Sequence, residues 1–294
     1  MSTMQPSKLP TFQLGLIGYP LGHSLSPKIH TAALKACGPQ GGYSLFPIPP
    51  KDKQGLKDLI DRVRTGELHG LNVTIPHKQN VIEFMDELTP TATAIGAVNT
   101  IYLRDGKLIG DNTDAAGFLS DLKRFLTTKA QRHGDSKVLV LGAGGSARAV
   151  VYALLNDGWD VTIAARRIEQ AQQLAQSFPN CELPTLAPGA SAGVTNLTDL
   201  RPSTFDLIVN TTPIGMSPSV DQSLLPESTT FSKETIVYDL VYNPRETKLV
   251  RDARAQGCPA TTGLGMLIEQ AALAFELWTG HNPPRDVLWQ ATDN

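Results

Sequence analysis

Lys137-Val-Leu-Val-Leu141 followed by Gly142-Ala-Gly-Gly-Ser-Ala147 is the stretch whose reading decides the fold. The near-continuous apolar run reads as a strand covered on both faces, as in a parallel sheet. The glycines follow a GxGxxA spacing: Gly142 for the tight turn, Gly144 for close approach of a pyrophosphate, and Ala147 for helix packing. A helix, Arg148 to Asn156, and a second strand, Asp160 to Ala164, come next. A bare GxGxxA is weak, but set between such a strand and helix it marks a phosphate site at the helix N-terminus. At the end of the second strand an NAD-binding chain usually carries an acid for the ribose 2′-hydroxyl, whereas this chain has Ala165-Arg166-Arg167. The helix macrodipole opposes cations at a helix start, so Arg166 and Arg167 read as a clamp for a 2′-phosphate, and NADP(H) is the expected cofactor.

Downstream, Phe205 to Asn210 runs into Thr211-Thr212-Pro213, and Thr235 to Leu240 into Val241-Tyr242-Asn243-Pro244. A helix over Lys248 to Gln256 and a short run, Ala260 to Thr262, lead to Gly263-Leu264-Gly265. Met266 to Trp278 is then an amphipathic closing helix with Gln270 as its misfit polar residue. These units predict a doubly wound sheet.

Upstream, Leu14 to Ile17 is a strand ended by Gly18, and a helix begins near Ser26-Pro27. Ser24 and Ser26 lie in the intervening loop, where hydroxyls can bond a polyhydroxylated ligand; Ser26 before Pro27 reads equally well as an N-cap with proline at N1. Tyr43 to Ile48 is a second strand, and Lys51 to Thr65 a helix with Leu56, Leu59, Ile60 and Val63 inward. Leu68, Leu71, Val73 and Ile75 then predict a buried strand whose polar Asn72 and Thr74 point together. Pro76 suits the first turn of a helix, which puts Lys78 just beyond the strand's carboxyl end. That edge is where open α/β sheets bind ligands. Val81 to Leu88 has a helical pattern, and Gly96 to Tyr102 predicts a strand that Asp105-Gly106 turns back through Leu108 and Ile109. The hairpin brings Asn99 and Thr100 level with Asn112 to Asp114, so that Lys78 and Asp114 form a candidate acid/base pair.

The length, 294 residues, suits two domains, and the polar Thr127 to Ser136 has the composition of a linker. A net charge of −2 lacks the clustered cations that nucleic acid or an anionic membrane needs. The expected partner is a small molecule. Cys37, Cys181 and Cys258 form no CxxC pair, so neither a disulfide framework nor a zinc site is indicated, and a reducing cytoplasm fits. Met1 to Pro10 lack the apolar core of a signal peptide, and no later run reaches transmembrane length.

Together, Ser24-Leu25-Ser26-Pro27 with His30, Asn72 to Lys78, Gly96 to Thr100, Asp111 to Asp114, the glycine turn, Asn210 to Pro213, Asp239 to Pro244 and Gly263 to Gln270 resemble the shikimate dehydrogenase (shikimate/quinate dehydrogenase) family, in its order and over nearly the whole chain. The resemblance implies NADPH-dependent, reversible reduction of 3-dehydroshikimate to shikimate in aromatic amino-acid biosynthesis. It implies an α/β fold of two domains with a cleft between them: a substrate domain over residues 1–114, completed by a C-terminal helix over 265–294, and a Rossmann-type NADP-binding domain over 115–264. By the same match Lys78 and Asp114 are the catalytic pair, and Ser24, Ser26, Thr74, Asn99, Asp114, Tyr242 and Gln270 hold the substrate. Gly142, Ala143, Gly144, Gly145, Ser146, Arg166, Arg167, Thr211, Leu240, Gly263 and Met266 would receive the cofactor, with no metal, in a monomer or homodimer. The family commonly has Asn-Arg-Thr after the second nucleotide-domain strand, with a further basic residue beyond. Here the run is Ala165-Arg166-Arg167 and then Gln170, so Arg166 keeps the phosphate role and the second clamp is altered. Two rival readings are a quinate/shikimate dehydrogenase using NAD(P) and a nucleotide-sensing homologue without catalysis.

Overall fold

The computed structural model describes residues 11–127, 136–178, 181–182 and 201–293. Met1 to Pro10 and most of the expected linker lie outside them. The chain divides into two compact units, Met1–Thr113 with Gln270–Asn294, and Asp114–Glu269.

In the first unit six strands, β1 (Thr11–Gly18), β2 (Gln40–Pro47), β3 (Gly70–Val73), β4 (Glu87–Leu88), β5 (Thr100–Arg104) and β6 (Lys107–Asp111), form one sheet in the order β2-β1-β3-β5-β6-β4. β5 runs antiparallel to both its neighbours, while the other pairings are parallel. Helix α1 (Ser26–Cys37) joins β1 to β2, and α2 (Lys53–Arg64) joins β2 to β3. Asp52 caps α2 by accepting from Gly55 N–H, and Leu56, Leu59, Ile60 and Val63 turn inward onto Leu71, Val73 and Ile101. Arg104 pairs with Lys107, and Asp105 (φ 53°) and Gly106 (φ 75°) are both left-handed, as a two-residue type I′ turn requires.

Several expectations are corrected here. Beyond Val73 the chain leaves the sheet, and Ile75 is 50% exposed rather than buried. Pro76 lies in a turn, not in a helix, since Tyr19 N–H bonds the Ile75 carbonyl and His77 N–H bonds Thr74. Val81 to Leu88 is not one helix: a single 3₁₀ turn, Ile82–Phe84, gives way to β4 because Asp86 N–H bonds the Leu108 carbonyl of β6. The strand expected from Gly96 begins at Thr100, because α3 (Pro90–Ile95), capped by Thr89, precedes it and Gly96 closes that helix at φ 67°. Ser26 is the first residue of α1 and not its cap; the Ser24 hydroxyl accepts from Ser26 N–H instead. The C-terminal segment is two helices, α8 (Leu264–Thr279) and α9 (Arg285–Asp293), divided at Gly280 (φ 72°).

The second unit opens on α4 (Asp114–Thr127). Its sheet of β7 (Lys137–Leu141), β8 (Asp160–Ala164), β9 (Cys181–Glu182), β10 (Leu207–Asn210), β11 (Ile236–Asp239) and β12 (Ala260–Thr262) is all parallel in the order β12-β11-β10-β7-β8-β9. Helices α5 (Gly145–Asn156), α6 (Ile168–Gln176) and α7 (Lys248–Ala255) cross over between strands. The chain reverses its direction of travel across the sheet between β7 and β10, the switch point at which doubly wound sheets bind ligands.

Candidate active site

In the first unit the polar residues ahead of β5 and beyond β6 converge through backbone pairing. Thr100 lies opposite Asp111 in the ladder, and Asn99 N–H donates to the Asp111 carbonyl. Asn99 is buried, and four groups on three residues fix its amide. Its Oδ1 accepts from Thr113 N–H at 2.8 Å and from the Thr100 hydroxyl at 2.9 Å, so its Nδ2 must face the Thr113 hydroxyl at 2.9 Å and Gln270 Oε1 at 3.4 Å. Thr113 immediately precedes Asp114. The Lys78 carbonyl accepts from Val98 N–H at 2.7 Å, one residue before Asn99. Lys78, Asn99 and Gln270 are all buried, and Asp114 is buried at the start of α4. Lys78 is only 8% exposed, unlike an ordinary surface lysine. Beside it, the buried His77 uses Nε2 to donate to the Ile48 carbonyl at 2.7 Å. Thr74 and Ser24 are partly exposed, and Ser26 is buried.

Sequence reasoning singled out Asn72 but not its partners. The Tyr43 hydroxyl donates to Asn72 Oδ1 at 2.8 Å, while Asn72 Nδ2 donates to the Asn99 carbonyl at 3.3 Å and lies 3.5 Å from the Thr100 hydroxyl. The Tyr43 ring stacks on buried His30 at 4.3 Å and 3°. Neither His30 ring nitrogen has a hydrogen-bond partner, and burial lowers its pKa to about 3 against a small opposing influence from Asn72.

In the second unit the glycine turn has separate reasons for its glycines. Gly142 has φ 117°, and a Cβ there would lie 2.5 Å from Thr211 Oγ1, because Thr211 N–H and hydroxyl both bond the Leu141 carbonyl. Gly144 is different. Its extended φ of −88° suits any residue, and a Cβ would meet nothing within 4 Å. The protein's own packing therefore does not require glycine there, and the turn leaves open space at the N-terminus of α5, which fits the approach of a pyrophosphate. No side chain caps α5, and Ala147 packs fully buried beneath the turn. Arg166 and Arg167 are exposed between β8 and α6, and neither forms an ion pair among the described residues. Gly263 abuts Leu240, whose carbonyl would lie 2.3 Å from an added Cβ, and Met266 is buried in the first turn of α8. Tyr242 is partly exposed in the loop after β11.

Two buried carboxylates, both outside the expected site, brace these loops. Asp239 accepts from Asn210 Nδ2 at 2.8 Å, Val241 N–H at 3.0 Å and the Thr247 hydroxyl at 2.7 Å. Burial nevertheless raises its pKa to about 6, with those three donors opposing the rise. Asp121 accepts from the Tyr238 hydroxyl at 2.6 Å and packs on Gly265, where a Cβ would clash with its carboxylate. Burial, then the Asp121 charge, holds the Tyr238 phenol well above its ordinary pKa.

A parallel doubly wound sheet with a glycine turn at its switch point and paired arginines after its second strand defines a Rossmann-type dinucleotide-binding unit, here joined to a separate α/β unit. Family models match in three places: a shikimate dehydrogenase substrate binding domain over residues 16–101, a shikimate/quinate 5-dehydrogenase over 125–188, and a shikimate 5′-dehydrogenase C-terminal domain over 263–292. A shikimate dehydrogenase (NADP(+)) of Shouchella clausii is 40% identical over 95% of this chain and 96% of its own. The crystal structure of shikimate 5-dehydrogenase from Thermus thermophilus, in complex with NADP(H) and shikimate, superposes with a TM-score of 0.82 at 35% identity over 96% of this chain and 98% of that one. A quinate dehydrogenase from Corynebacterium glutamicum in complex with NAD has the same TM-score at 33% identity, over 96% and 99%. The chain belongs to the shikimate dehydrogenase family. Among the described residues no helix is long and apolar enough to cross a membrane, and no cluster of metal-ligating side chains occurs.

Proposed function

We propose that this chain catalyses the NADPH-dependent, reversible reduction of 3-dehydroshikimate to shikimate, as a monomer or homodimer in the cytoplasm. The observation that carries the reading is the buried hydrogen-bonded set around Asn99. It ties the chain at Lys78, through Val98, to the residue before Asp114 and to Gln270. The Gly142–Ser146 turn would hold the pyrophosphate, Arg166 with Arg167 the adenosine phosphate, and Thr211, Leu240, Gly263 and Met266 the rest of the dinucleotide. When bound, the cofactor supplies the hydride that reduces the ketone carbon.

The chain's own residues then do three things. Asn99 and Gln270, with Ser24, Ser26, Thr74 and Tyr242, bind the hydroxyls and carboxylate of the substrate and orient its ring. Lys78 Nζ donates a hydrogen bond to the ketone oxygen, stabilises the charge that develops there and delivers the proton. Asp114 is the carboxylate partner that orients Lys78. Following the nicotinamide absorbance with shikimate or quinate and NADP⁺ or NAD⁺ tests the reading. Turnover of shikimate with NADP⁺ at the highest kcat/KM is expected; quinate with NAD⁺ as the best pair would replace it with the quinate reading, and no turnover of either would leave nucleotide sensing.

A further inference from the structure

Resting on the substrate-binding role just proposed for Asn99, we propose that Tyr43 and Asn72 are positioning residues for substrate specificity. They hold the Asn99 segment so that its amide faces the substrate. Thr113 N–H can only donate, so it forces Asn99 Oδ1 toward itself and leaves Nδ2 directed at Gln270. That orientation holds only if the Asn99 backbone and Thr100 hydroxyl stay put. Asn72 Nδ2 is hydrogen-bonded to the Asn99 carbonyl and lies beside the Thr100 hydroxyl; that carbonyl also accepts from Val73 N–H at 2.7 Å.

Asn72 can do this only with its own amide in one orientation, Nδ2 toward Asn99 and Oδ1 away. Tyr43 selects that orientation, because its hydroxyl donates to Oδ1 at 2.8 Å. The Tyr43 ring is held in turn by its parallel stack on buried His30, whose ring also lies 5.3 Å from Trp278. Tyr43 to Asn72 to Asn99 to Gln270 is thus one directed relay within the first unit. Tyr43 sits at its far end, on edge strand β2. A half-satisfied buried relay is costly, so losing the Tyr43 hydroxyl frees Asn72 to flip and loosens the whole set.

The test measures KM for shikimate and for NADP⁺, kcat and thermal midpoint in Tyr43→Phe, Asn99→Ala and the double variant. Tyr43→Phe keeps the stacking ring and is expected to raise the shikimate KM about two- to tenfold, the value of one hydrogen bond, with the NADP⁺ KM unchanged. In the Asn99→Ala background the same substitution should leave the shikimate KM unchanged, since nothing remains to position. A purely structural role would persist in that background. An unchanged shikimate KM in Tyr43→Phe, an equal rise in both cofactor and substrate KM, or the same factor with and without Asn99 overturns the positioning role. Asn99→Ala with an unaltered shikimate KM overturns the substrate-binding role of Asn99 itself. In a third variant, Asn72→Leu, which has similar volume but no amide, the KM rise should at least equal that of Tyr43→Phe; a smaller rise places Tyr43 outside the relay and overturns the proposal.

Discussion

Asp239, at the end of β11, accepts a hydrogen bond from Asn210 Nδ2, at the end of β10, at 2.8 Å, and so ties the end of β11 to that of β10, the strand that borders the switch point. The same carboxylate takes Val241 N–H and the Thr247 hydroxyl, and Asn210 Oδ1 takes the Thr212 N–H and hydroxyl. The loops carrying Thr211 and Tyr242 therefore share one buried bracket. Asp239→Ala leaves three donors unpaired and is expected to cost on the order of 3 kcal/mol of stability, read by urea unfolding; a loss below about 1 kcal/mol would contradict the bracket.

Asp239→Asn isolates the charge. The folded pKa, about 6, lies above the ordinary aspartate value of 3.8, so the carboxyl's stabilising contribution is complete below 3.8 and lost as pH rises through 6. Relative to Asp239→Asn, the wild type should gain on the order of 3 kcal/mol between pH 7 and pH 4. A flat difference across that window refutes the burial of a titrating carboxyl.

His30 titrates with the opposite consequence. Its folded pKa, about 3, lies below 6.5, so the stability it contributes as a neutral ring is present above 6.5 and lost as pH falls toward 3. Compared with His30→Phe, which keeps a ring against Tyr43, the wild type should lose about 1.4 kcal/mol per pH unit through that range. Above pH 7 the difference should be constant. Parallel acid curves for the two proteins would show that His30 becomes charged without unfolding.

Lys78→Ala is expected to lower kcat by about 10²- to 10⁴-fold while NADPH still binds, because Lys78 belongs to the first unit and the glycine turn to the second. If Asp114 acts through Lys78, Asp114→Asn combined with Lys78→Ala should be little worse than the worse single variant. Multiplying losses would make the two independent, and turnover within a few fold of wild type would remove Lys78 from the chemistry.

Removing one arginine from a phosphate clamp should weaken NADPH about tenfold to a hundredfold and leave NADH nearly unaffected. Arg166→Ala should erode the preference more than Arg167→Ala, judged by kcat/KM with each cofactor. A larger loss from Arg167 would mean that the clamp has moved by one residue, and equal use of both cofactors by the wild type would end the claim of a clamp.

Where a sequence pattern reports a local physical requirement, it was readable. Gly142 needs a left-handed φ, Asp105-Gly106 needs two, and the apolar spacing of α2 matches the face it buries. Those requirements depend on neighbours in the chain, so the Rossmann unit, the hairpin and the approach of Asn99 to Thr113 could all be argued from residues alone. Ile75 and Pro76 were misread because alternation and proline position are also local signals. What overrides them is the bond from Tyr19 N–H to the Ile75 carbonyl, made by a loop more than fifty residues away. The partners of Asn72 and Asp239 were hidden for the same reason. Tyr43 meets Asn72 only because β1 lies between β2 and β3 in a register that sets Tyr43 opposite Leu14 and Leu14 opposite Gly70, which puts Tyr43 and Asn72 on one sheet face. The chain by itself determined which elements form and which residue types could carry the chemistry. Strand order and register, decided only when distant segments pack, determined which buried polar groups satisfy one another, since a hydrogen bond depends on distance in space and not on separation in sequence.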